Sequence, residues 1–542
     1  MAEANKHGYA IIIQRVIINM YGLDATLVDE IDYGLSLGRV KTDVLTDFIL
    51  APHYSVVYTY APDELIERVK TLLRNGEYTP ELPIKVDIPK RSGLSRPGAI
   101  LLPIDRLVYQ LLVDMVSVQA EAQLDRSCVF SHVLLSDDPE FRMFRPADEC
   151  WQNMKNALEA RCRDTKLRYV VKADVASFFE RIYQHNLINL LRSSGCDPRA
   201  VNLLEKILLA FMENDSHGIL QGMFPSDFLG NFYLASLDAG LKVKNVPFIR
   251  YVDDLYLFYT SLLEAKKGLF DLCRILRDEG LNLNESKTGT PESHKLLKEE
   301  TELDRLFNAA KEEARETELE LSVDTGYGFQ TIWVPQEEVL DREEIELIAM
   351  RELYQKVSDP TVDAEKIERF CLPYLRQTQD EIAVEKSLDG VVSRPHLSKT
   401  YCSYLEPFAR DNSDISKQLE LIIRNDELPY DWSLIWPMAV LIDVDSVASE
   451  TVTKAIRIIE DSRRLDGLRG IAAYLVAKHG NAGQRRLLRH RYDQEPSPYV
   501  KAAILFSARY FPTNERNSCL GAWGSHSTTN SLIASAIRAG TP

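Results

Sequence analysis

Two acidic elements of the sequence have the residue types and setting to carry out chemistry. Asp174 ends an apolar, β-branched run, and Asp253 and Asp254 form an adjacent pair inside a second apolar stretch. Carboxylates in apolar strands are costly to bury unless they bind something positive, and a pair of divalent cations is the natural candidate. In two-metal phosphoryl transfer the ions lie about 4 Å apart and are held by carboxylates from neighbouring strands. The sequence predicts such a centre if the two strands pair, whereas the Asp-Asp pair taken alone also fits a polar turn.

The segments that must position these carboxylates alternate between strand and helix. Residues 167–173 form a continuous strand-like run, and a second strand, 248–257, is split by the two aspartates. Between them lie a helix-like interval that extends to Glu213 and a helix around 226–241. Strands separated by helices predict an α/β core.

Three further segments surround this core. Residues 11–73 have apolar positions at helical spacing and predict an N-terminal helical layer. Residues 82–103 contain short β-type pieces punctuated by Pro and Gly, with Lys90, Arg91 and Arg96 at the turns, and predict a basic hairpin. The span 292–324 holds eleven acidic and five basic residues, which predicts a solvated helix or linker at a domain boundary. After a strand-like piece at 327–334, the remaining sequence is largely helical by period.

Length, charge and cysteine usage limit the class of protein. The 542 residues suggest about three domains, and 45% hydrophobic with 27% charged residues is typical of a soluble globular chain. The eight cysteines include no Cys-x-x-Cys pair, so neither structural zinc nor a disulfide framework is expected. No apolar run reaches the roughly 18 residues of a membrane span. We therefore expect a cytosolic protein without a membrane partner.

Two features single out the C-terminal part. Residues 468–476 match 500–508 at an offset of 32, as in stacked helical hairpins of the HEAT type, although an ordinary helical bundle fits that signal as well. Between 463 and 491 the chain has one acidic residue, and Tyr474 and Tyr492 could offer stacking surfaces. A cationic face on a chain of net charge −17 predicts contact with nucleic-acid phosphates, with a merely solvated basic face as the alternative. Its cations are Arg463, Arg464, Arg469, Lys478, Arg485, Arg486, Arg489 and Arg491.

The order of the motifs resembles that of the reverse transcriptases. Residues 88–97 (IPKRSGLSRP) resemble the fingers hairpin of that family, and 174–179 (DVASFF) its first catalytic motif. The second, third and fourth motifs are matched by 220–226 (LQGMFPS), by 251–254 (YVDD), and by 281–284 (LNLN) with Lys287-Thr288. Together they cover residues of about 80 to 290.

The resemblance implies a role for each matched residue. Asp174, Asp253 and Asp254 would be catalytic and hold two Mg²⁺ ions, with Mn²⁺ as an alternative, and Val175 would join the metal and substrate sites. Lys90 and Arg96 would close on the phosphates of a dNTP, and Gln221 and Gly222 would meet the base and the template. Phe179 would exclude the ribose 2′-hydroxyl, with Phe178 as the buried core residue, and Lys287 would protonate the leaving pyrophosphate. For Lys90, Arg96 and Lys287, a solvated surface position is the other interpretation.

The predicted fold class is α/β (α+β): a right-hand polymerase palm and fingers followed by a large all-α, HEAT-like helical-repeat domain. The predicted divisions are 1–80 (helical layer), 81–290 (fingers and palm), 291–345 (acidic linker or thumb-like segment) and 346–542 (helical repeats). This architecture resembles the abortive-infection and unknown-group reverse transcriptases of bacterial phage defence.

That subgroup resemblance implies a cytoplasmic, oligomeric enzyme that uses dNTPs. It would make DNA without a template, with or without a protein primer, or from a noncoding RNA, and would hold that RNA or nascent single-stranded DNA. A catalytically inactive helical scaffold that binds RNA or partner proteins is the alternative, and the three carboxylates argue against it. An RNA-synthesising polymerase with a similar palm is disfavoured by Phe179.

Overall fold

The computed structural model describes residues 21–300, 302–316, 318–324, 329–335 and 341–540. The first ten residues of the predicted N-terminal layer, 11–20, lie outside these ranges. In the ranges that are described, no helix has both the length and the apolar content needed to cross a membrane. The chain divides into two compact units.

The first unit comprises the described residues up to Asp87, residues 97–297 and the residues from Glu495 onward. Its first part contains α1 (Ala25–Glu30), α2 (Tyr33–Asp43), α3 (Pro52–Tyr60), α4 (Pro62–Asn75), β1 (Ile84–Pro89), β2 (Ser95–Ile100), α5 (Pro103–Glu121) and α6 (Ala147–Arg163). Its central part contains β3 (Tyr169–Asp174), α7 (Phe178–Arg181), α8 (Gln184–Ser193), α9 (Pro198–Phe211), α10 (Phe224–Tyr233), α11 (Ala235–Val243), β4 (Phe248–Tyr251), β5 (Asp254–Tyr259), α12 (Leu262–Asp278) and α13 (Ser293–Glu300).

The central sheet has three antiparallel strands in the order β3-β5-β4. The expected strand at 248–257 is a hairpin, because the two aspartates lie at the turn between β4 and β5. In the β3–β5 register Asp174 lies opposite Asp254, so the strand pairing on which the predicted metal centre depends is present. The core is therefore α+β, with helices supplied by the connections between the strands.

Helices cover both faces of this sheet. On one face Met154 and Leu158 of α6 and Leu296 of α13 form a buried cluster with strand residues Val170 and Phe258. On the other, α12 packs on β3 and β5. Its buried residues Ala265, Leu272 and Leu276 recur at helical spacing, which explains why this segment is an amphipathic helix.

The helices α24 (Pro498–Ser507), α25 (Thr513–Trp523) and α26 (Thr528–Arg538) belong to the first unit, although the sequence predicted one C-terminal domain over 346–542. Their position follows from aromatic packing on α3. The ring of Tyr499 lies 4.5 Å from that of His53, and its hydroxyl donates a hydrogen bond to the Leu50 carbonyl. Sequence separation hides such a contact, since about 450 residues lie between the partners.

The second unit consists of the turn 88–96 and residues 298–494. It contains α14 (Glu302–Glu316), β6 (Glu318–Asp324), β7 (Phe329–Pro335), α15 (Arg342–Gln355), α16 (Ala364–Gln377), α17 (Val384–Ser393), α18 (Ser398–Asp411), α19 (Ser413–Arg424), α20 (Asp431–Ile442), α21 (Ser449–Glu460), α22 (Asp466–His479) and α23 (Ala482–Gln494). The guanidinium of Arg91, in the turn, forms ion pairs with Asp363 and Glu365 at the start of α16.

Two predictions for this part differ from the structure. Residues 318–324, expected within a helix or linker, form β6, which pairs with β7 in an antiparallel ladder. Leu319, Leu321 and Val323 alternate with polar residues in the sequence, and this period of two is the strand signal that the acidic composition masked. The two copies of the faint repeat correspond to α22 and α24, which belong to different units.

Candidate active site

Asp174 is held in place by the segment that resembles the fourth motif. Asn284 Nδ2 donates a hydrogen bond of 3.0 Å to one carboxylate oxygen, and Lys287 Nζ lies 2.8 Å from the other. The backbone of Asn284 also donates to the Asp174 carbonyl, while Val175 forms a bridge with Leu283. The short segment after α12 therefore runs beside the end of β3 and fixes its carboxylate.

The Tyr251–Asp254 turn places the other two carboxylates at the same end of the sheet. Val252 has a φ of 55°, a left-handed conformation that is strongly disfavoured for a β-branched residue. Such strain persists only where the surroundings enforce it. The Val252 N–H donates to the hydroxyl of Ser131, and its carbonyl accepts a hydrogen bond from the Arg250 guanidinium.

Arg250 is the centre of a buried polar network under this turn. Its side chain is 0% exposed and forms an ion pair with Asp238 of α11, and it also donates to the Asn231 side chain at 2.8 Å. Ser131 in turn donates to Asn231. The network ties the turn to α10, α11 and the loop before α6.

Sequence reasoning assigned no role to Arg250 or Ser131. The detectable signal was Arg250 itself, because an arginine inside an apolar strand requires a buried partner.

The carboxylates of Asp174, Asp253 and Asp254 all attract the ammonium group of Lys287. The hydrogen bond from Lys287 to Asp174 raises the pKa of the Lys287 ammonium above its ordinary value, burial opposes this, and attraction by Asp174, Asp254 and Asp253 adds to it. Their fields therefore converge where a positive charge is stabilised. Carboxylate and carbonyl oxygens are the ligands that hard divalent cations prefer, so the donor types at this end of the sheet suit such an ion. As they stand in the structure, however, no three His, Cys, Asp or Glu side chains of the described ranges are gathered closely enough to hold one.

Two phenylalanines follow Asp174 and have different surroundings. Phe178 is 3% exposed, as expected for the core residue of the two. Phe179 is half-buried and packs on Gly230 of α10, where a Cβ atom would lie 2.9 Å from its ring. The absence of a side chain at Gly230 lets the Phe179 ring lie close to the helix.

Gln221 and Gly222 precede α10 and are both half-buried. Gly222 has a φ of 89°, and a Cβ atom there would lie 2.5 Å from the ring of Phe48. Both observations require glycine at this position. Phe48, which the sequence did not single out, therefore borders the segment predicted to meet the template.

The remaining candidates of the fingers hairpin lie in the second unit. Lys90 and Arg96 are exposed on the two sides of the turn that contains Gly93. Neither side chain has an ion pair with any residue that the structure describes. Their role in binding phosphates stays a prediction.

The prediction of a C-terminal cationic face is wrong for several of the residues assigned to it. Arg469 is 1% exposed and donates to the carbonyl of Ile459, so it cannot contact a nucleic acid. Tyr474 and Tyr492 are buried and cannot stack on bases.

Other members of this face are engaged with carboxylates. Arg463, Arg464 and Lys478 form ion pairs with Asp461, Asp431 and Asp443, respectively. A run of basic residues carries no information on burial or on partners distant in sequence. Contact with nucleic acid stays a prediction for Arg485, Arg486, Arg489 and Arg491 on α23.

Asp227, in the first turn of α10, is a buried carboxylate whose protonation can be tested. Burial and the nearby Asp43 carboxylate raise the pKa of Asp227 to about 8, while Arg106 lowers it. The folded chain therefore binds this proton more tightly than the unfolded chain, whose Asp has a pKa near 3.8. The free energy of unfolding therefore decreases as the pH rises from about 4 to about 8, because the buried Asp227 has to release its proton.

We expect Asp227→Asn to be more stable than the wild type at pH 8, by about 1–3 kcal/mol, and the difference to vanish near pH 4. Urea denaturation across that range measures it. An unchanged or reversed difference would show that Asp227 is ionised in the folded protein. Asp63→Asn, at an exposed carboxylate on α4, is the matched control.

An antiparallel sheet with carboxylates at one end is the arrangement expected of a polymerase palm. A family model described as "Reverse transcriptase (RNA-dependent DNA polymerase)" matches residues 88–324. The chain therefore contains a reverse transcriptase domain, the type of domain found in RNA-directed DNA polymerases.

The individual proteins that resemble this chain have low sequence identity to it. Protein YkfC of Escherichia coli (strain K12) is 27% identical over 178 residues, and the match covers 32% of this chain and 44% of that protein. A telomerase structure from Candida albicans, in complex with a TWJ fragment of telomeric RNA, has a TM-score of 0.29 at 12% identity and covers 64% of this chain and 62% of that one. For the apo telomerase of Candida tropicalis the TM-score is 0.30 at 10% identity, with 88% and 74% covered.

Proposed function

We propose that this protein is an RNA-directed DNA polymerase that extends a DNA strand by two-metal phosphoryl transfer. The observation that carries the proposal is the register of the palm sheet. It sets Asp174 opposite Asp254, with Asp253 next to it in a constrained turn, inside a reverse transcriptase domain.

Each residue of the site has a role that follows from its position. Asp174, Asp253, Asp254 and Val175 would hold the two Mg²⁺ ions, which would activate the primer hydroxyl and stabilise charge on the triphosphate. Arg250 and Ser131 keep the turn in its strained conformation, and Asn284 orients the Asp174 carboxylate. Lys287 holds a proton beside this carboxylate and is the candidate donor to pyrophosphate.

The biological setting is part of the proposal. A palm followed by a long helical region supports membership of the bacterial phage-defence reverse transcriptases, and with it an oligomeric assembly. DNA would then be made without a template or from a dedicated noncoding RNA. We expect the purified full chain to incorporate labelled dNTPs with Mg²⁺.

The test compares reactions with and without an added RNA template, followed by digestion with nuclease or protease. Label that is sensitive to both indicates protein-primed synthesis, and dependence on added RNA indicates templated synthesis. No incorporation under either condition would contradict the polymerase proposal and favour the inactive scaffold.

Phe179 tests sugar selection. We expect Phe179→Ala to admit ribonucleotides, because removal of the ring opens space beside the sugar 2′ position. The dATP-to-ATP preference should fall by roughly 10–100-fold, since the loss of one steric contact is worth about 1–3 kcal/mol. Phe178→Leu, in the core, is the control and should lower stability but leave the preference unchanged. Equal discrimination by Phe179→Ala and the wild type would place the gate at another residue.

A further inference from the structure

The outward face of α12 carries an unusual set of side chains. At 100° per residue, six positions of this helix fall within one stripe about 100° wide. The stripe consists of Leu263, Lys266, Lys267, Phe270, Arg274 and Arg277. Phe270 is 67% exposed and Leu263 is 64% exposed, although both are large apolar side chains.

The four cations of this stripe lack ion pairs. None of their side chains has a carboxylate or hydrogen-bond partner within the described part of the chain. Two of the three acidic residues of the same helix are engaged elsewhere: Glu264 accepts a hydrogen bond from Thr260, and Asp271 lies 3.9 Å from Lys244, while Asp278 is the last residue of the helix and lies outside the stripe. In a chain of net charge −17, an uncompensated basic stripe is a local departure from the overall charge.

The chemistry of the stripe favours one kind of partner. Unpaired Lys and Arg side chains suit a row of phosphates, and an exposed aromatic ring among them offers a face on which a base can stack. From Leu263 to Arg277 the stripe is about 21 Å long, at 1.5 Å per residue. A lipid surface is a poorer match, because two apolar side chains bury too little area to anchor a helix.

We propose that this stripe binds a single-stranded nucleic acid, with Phe270 as the stacking platform and the four cations as phosphate contacts. The inner side of α12 packs on the sheet through Ala265, Leu272 and Leu276. The stripe therefore lies on the opposite side of the helix from the sheet that carries the carboxylates. It is a separate holding surface for an unpaired strand, and its existence does not depend on polymerase activity.

Binding is measured by fluorescence anisotropy of labelled single-stranded RNA and DNA 20-mers with the full chain. EDTA is present, so that no chemistry contributes. We expect the reversal K266E/K267E/R274E/R277E to weaken binding at least ten-fold at 0.1 M salt. The slope of log Kd against log salt should flatten by about 0.7 per lost phosphate contact. Phe270→Ala should weaken binding about ten-fold without changing the slope, since stacking is not a charge contact.

A matched variant separates this effect from net charge. K41E/R161E/K166E/R168E changes the charge equally at exposed positions of the same unit and should bind like the wild type. A stripe variant that binds like this control would overturn the proposal. So would a stripe variant that loses affinity only for phosphatidylserine vesicles, which would indicate a membrane surface.

Two further measurements keep the outcomes distinct. Equal melting temperatures for all variants show that lost affinity is not unfolding. Asp253→Asn should keep its affinity for the 20-mers even though it cannot incorporate dNTPs. The stripe proposal and the polymerase proposal can therefore fail separately.

Discussion

Asp174→Asn and Asp253→Asn are expected to abolish nucleotide incorporation, lowering the rate at least about 10³-fold, in line with the several kcal/mol that metal-held charge contributes to phosphoryl transfer. Each change removes one negative charge from the group of three carboxylates that attract the Lys287 ammonium. The proposed metal ions would be shared by these carboxylates, so loss of one carboxylate would weaken the binding of both ions. Single-turnover incorporation of labelled dNTPs with excess Mg²⁺ measures the effect.

The fold should survive these substitutions. Lys287, the partner of Asp174, has a side chain that is 63% exposed, and pairs of that kind contribute at most about 1 kcal/mol. Asp137→Asn changes an exposed carboxylate of the same unit and should leave incorporation unaltered. Wild-type rates in either catalytic variant, with normal melting curves, would contradict the polymerase proposal.

The sequence was sufficient where a local pattern determines the structure. The β-branched run before Asp174 and the split apolar run around Asp253 both indicate β structure, although the second is a hairpin and the pairing of the strands was only a condition of the predicted metal centre. Phe178 was assigned to the core because the resemblance to the first catalytic motif implies that Phe179 meets the sugar, and Phe178 is buried as expected. In these cases the physical signal lies within about ten consecutive residues.

Contacts between residues that are distant in the sequence could not be predicted from it. Arg469 belongs to a basic run, yet it is buried because the carbonyl of Ile459 accepts its hydrogen bonds. Tyr499 belongs to the first unit because its ring contacts that of His53, a residue far away in the sequence. Neither the charge of a residue nor the period of its helix determines which distant backbone group or ring lies next to it.

The buried network around Arg250 depends on such distant contacts, and its loss is expected to have the second largest effect. Asp238→Ala leaves the Arg250 guanidinium buried and without its main counter-charge, so it should lower the free energy of unfolding by about 3–5 kcal/mol. Equilibrium urea denaturation measures this loss. Glu213→Gln, which breaks the exposed pair with Lys85, should cost less than about 1 kcal/mol.

The double variant Arg250→Met/Asp238→Leu distinguishes a structural charge pair from one that also shapes the site. Because apolar residues of similar volume can replace a buried pair, it should recover much of the stability lost in Asp238→Ala. Incorporation should stay low in the double variant, because methionine cannot donate a hydrogen bond to the Val252 carbonyl and the strained turn that presents Asp253 is released. Recovery of both stability and incorporation would show that the turn keeps its conformation without Arg250.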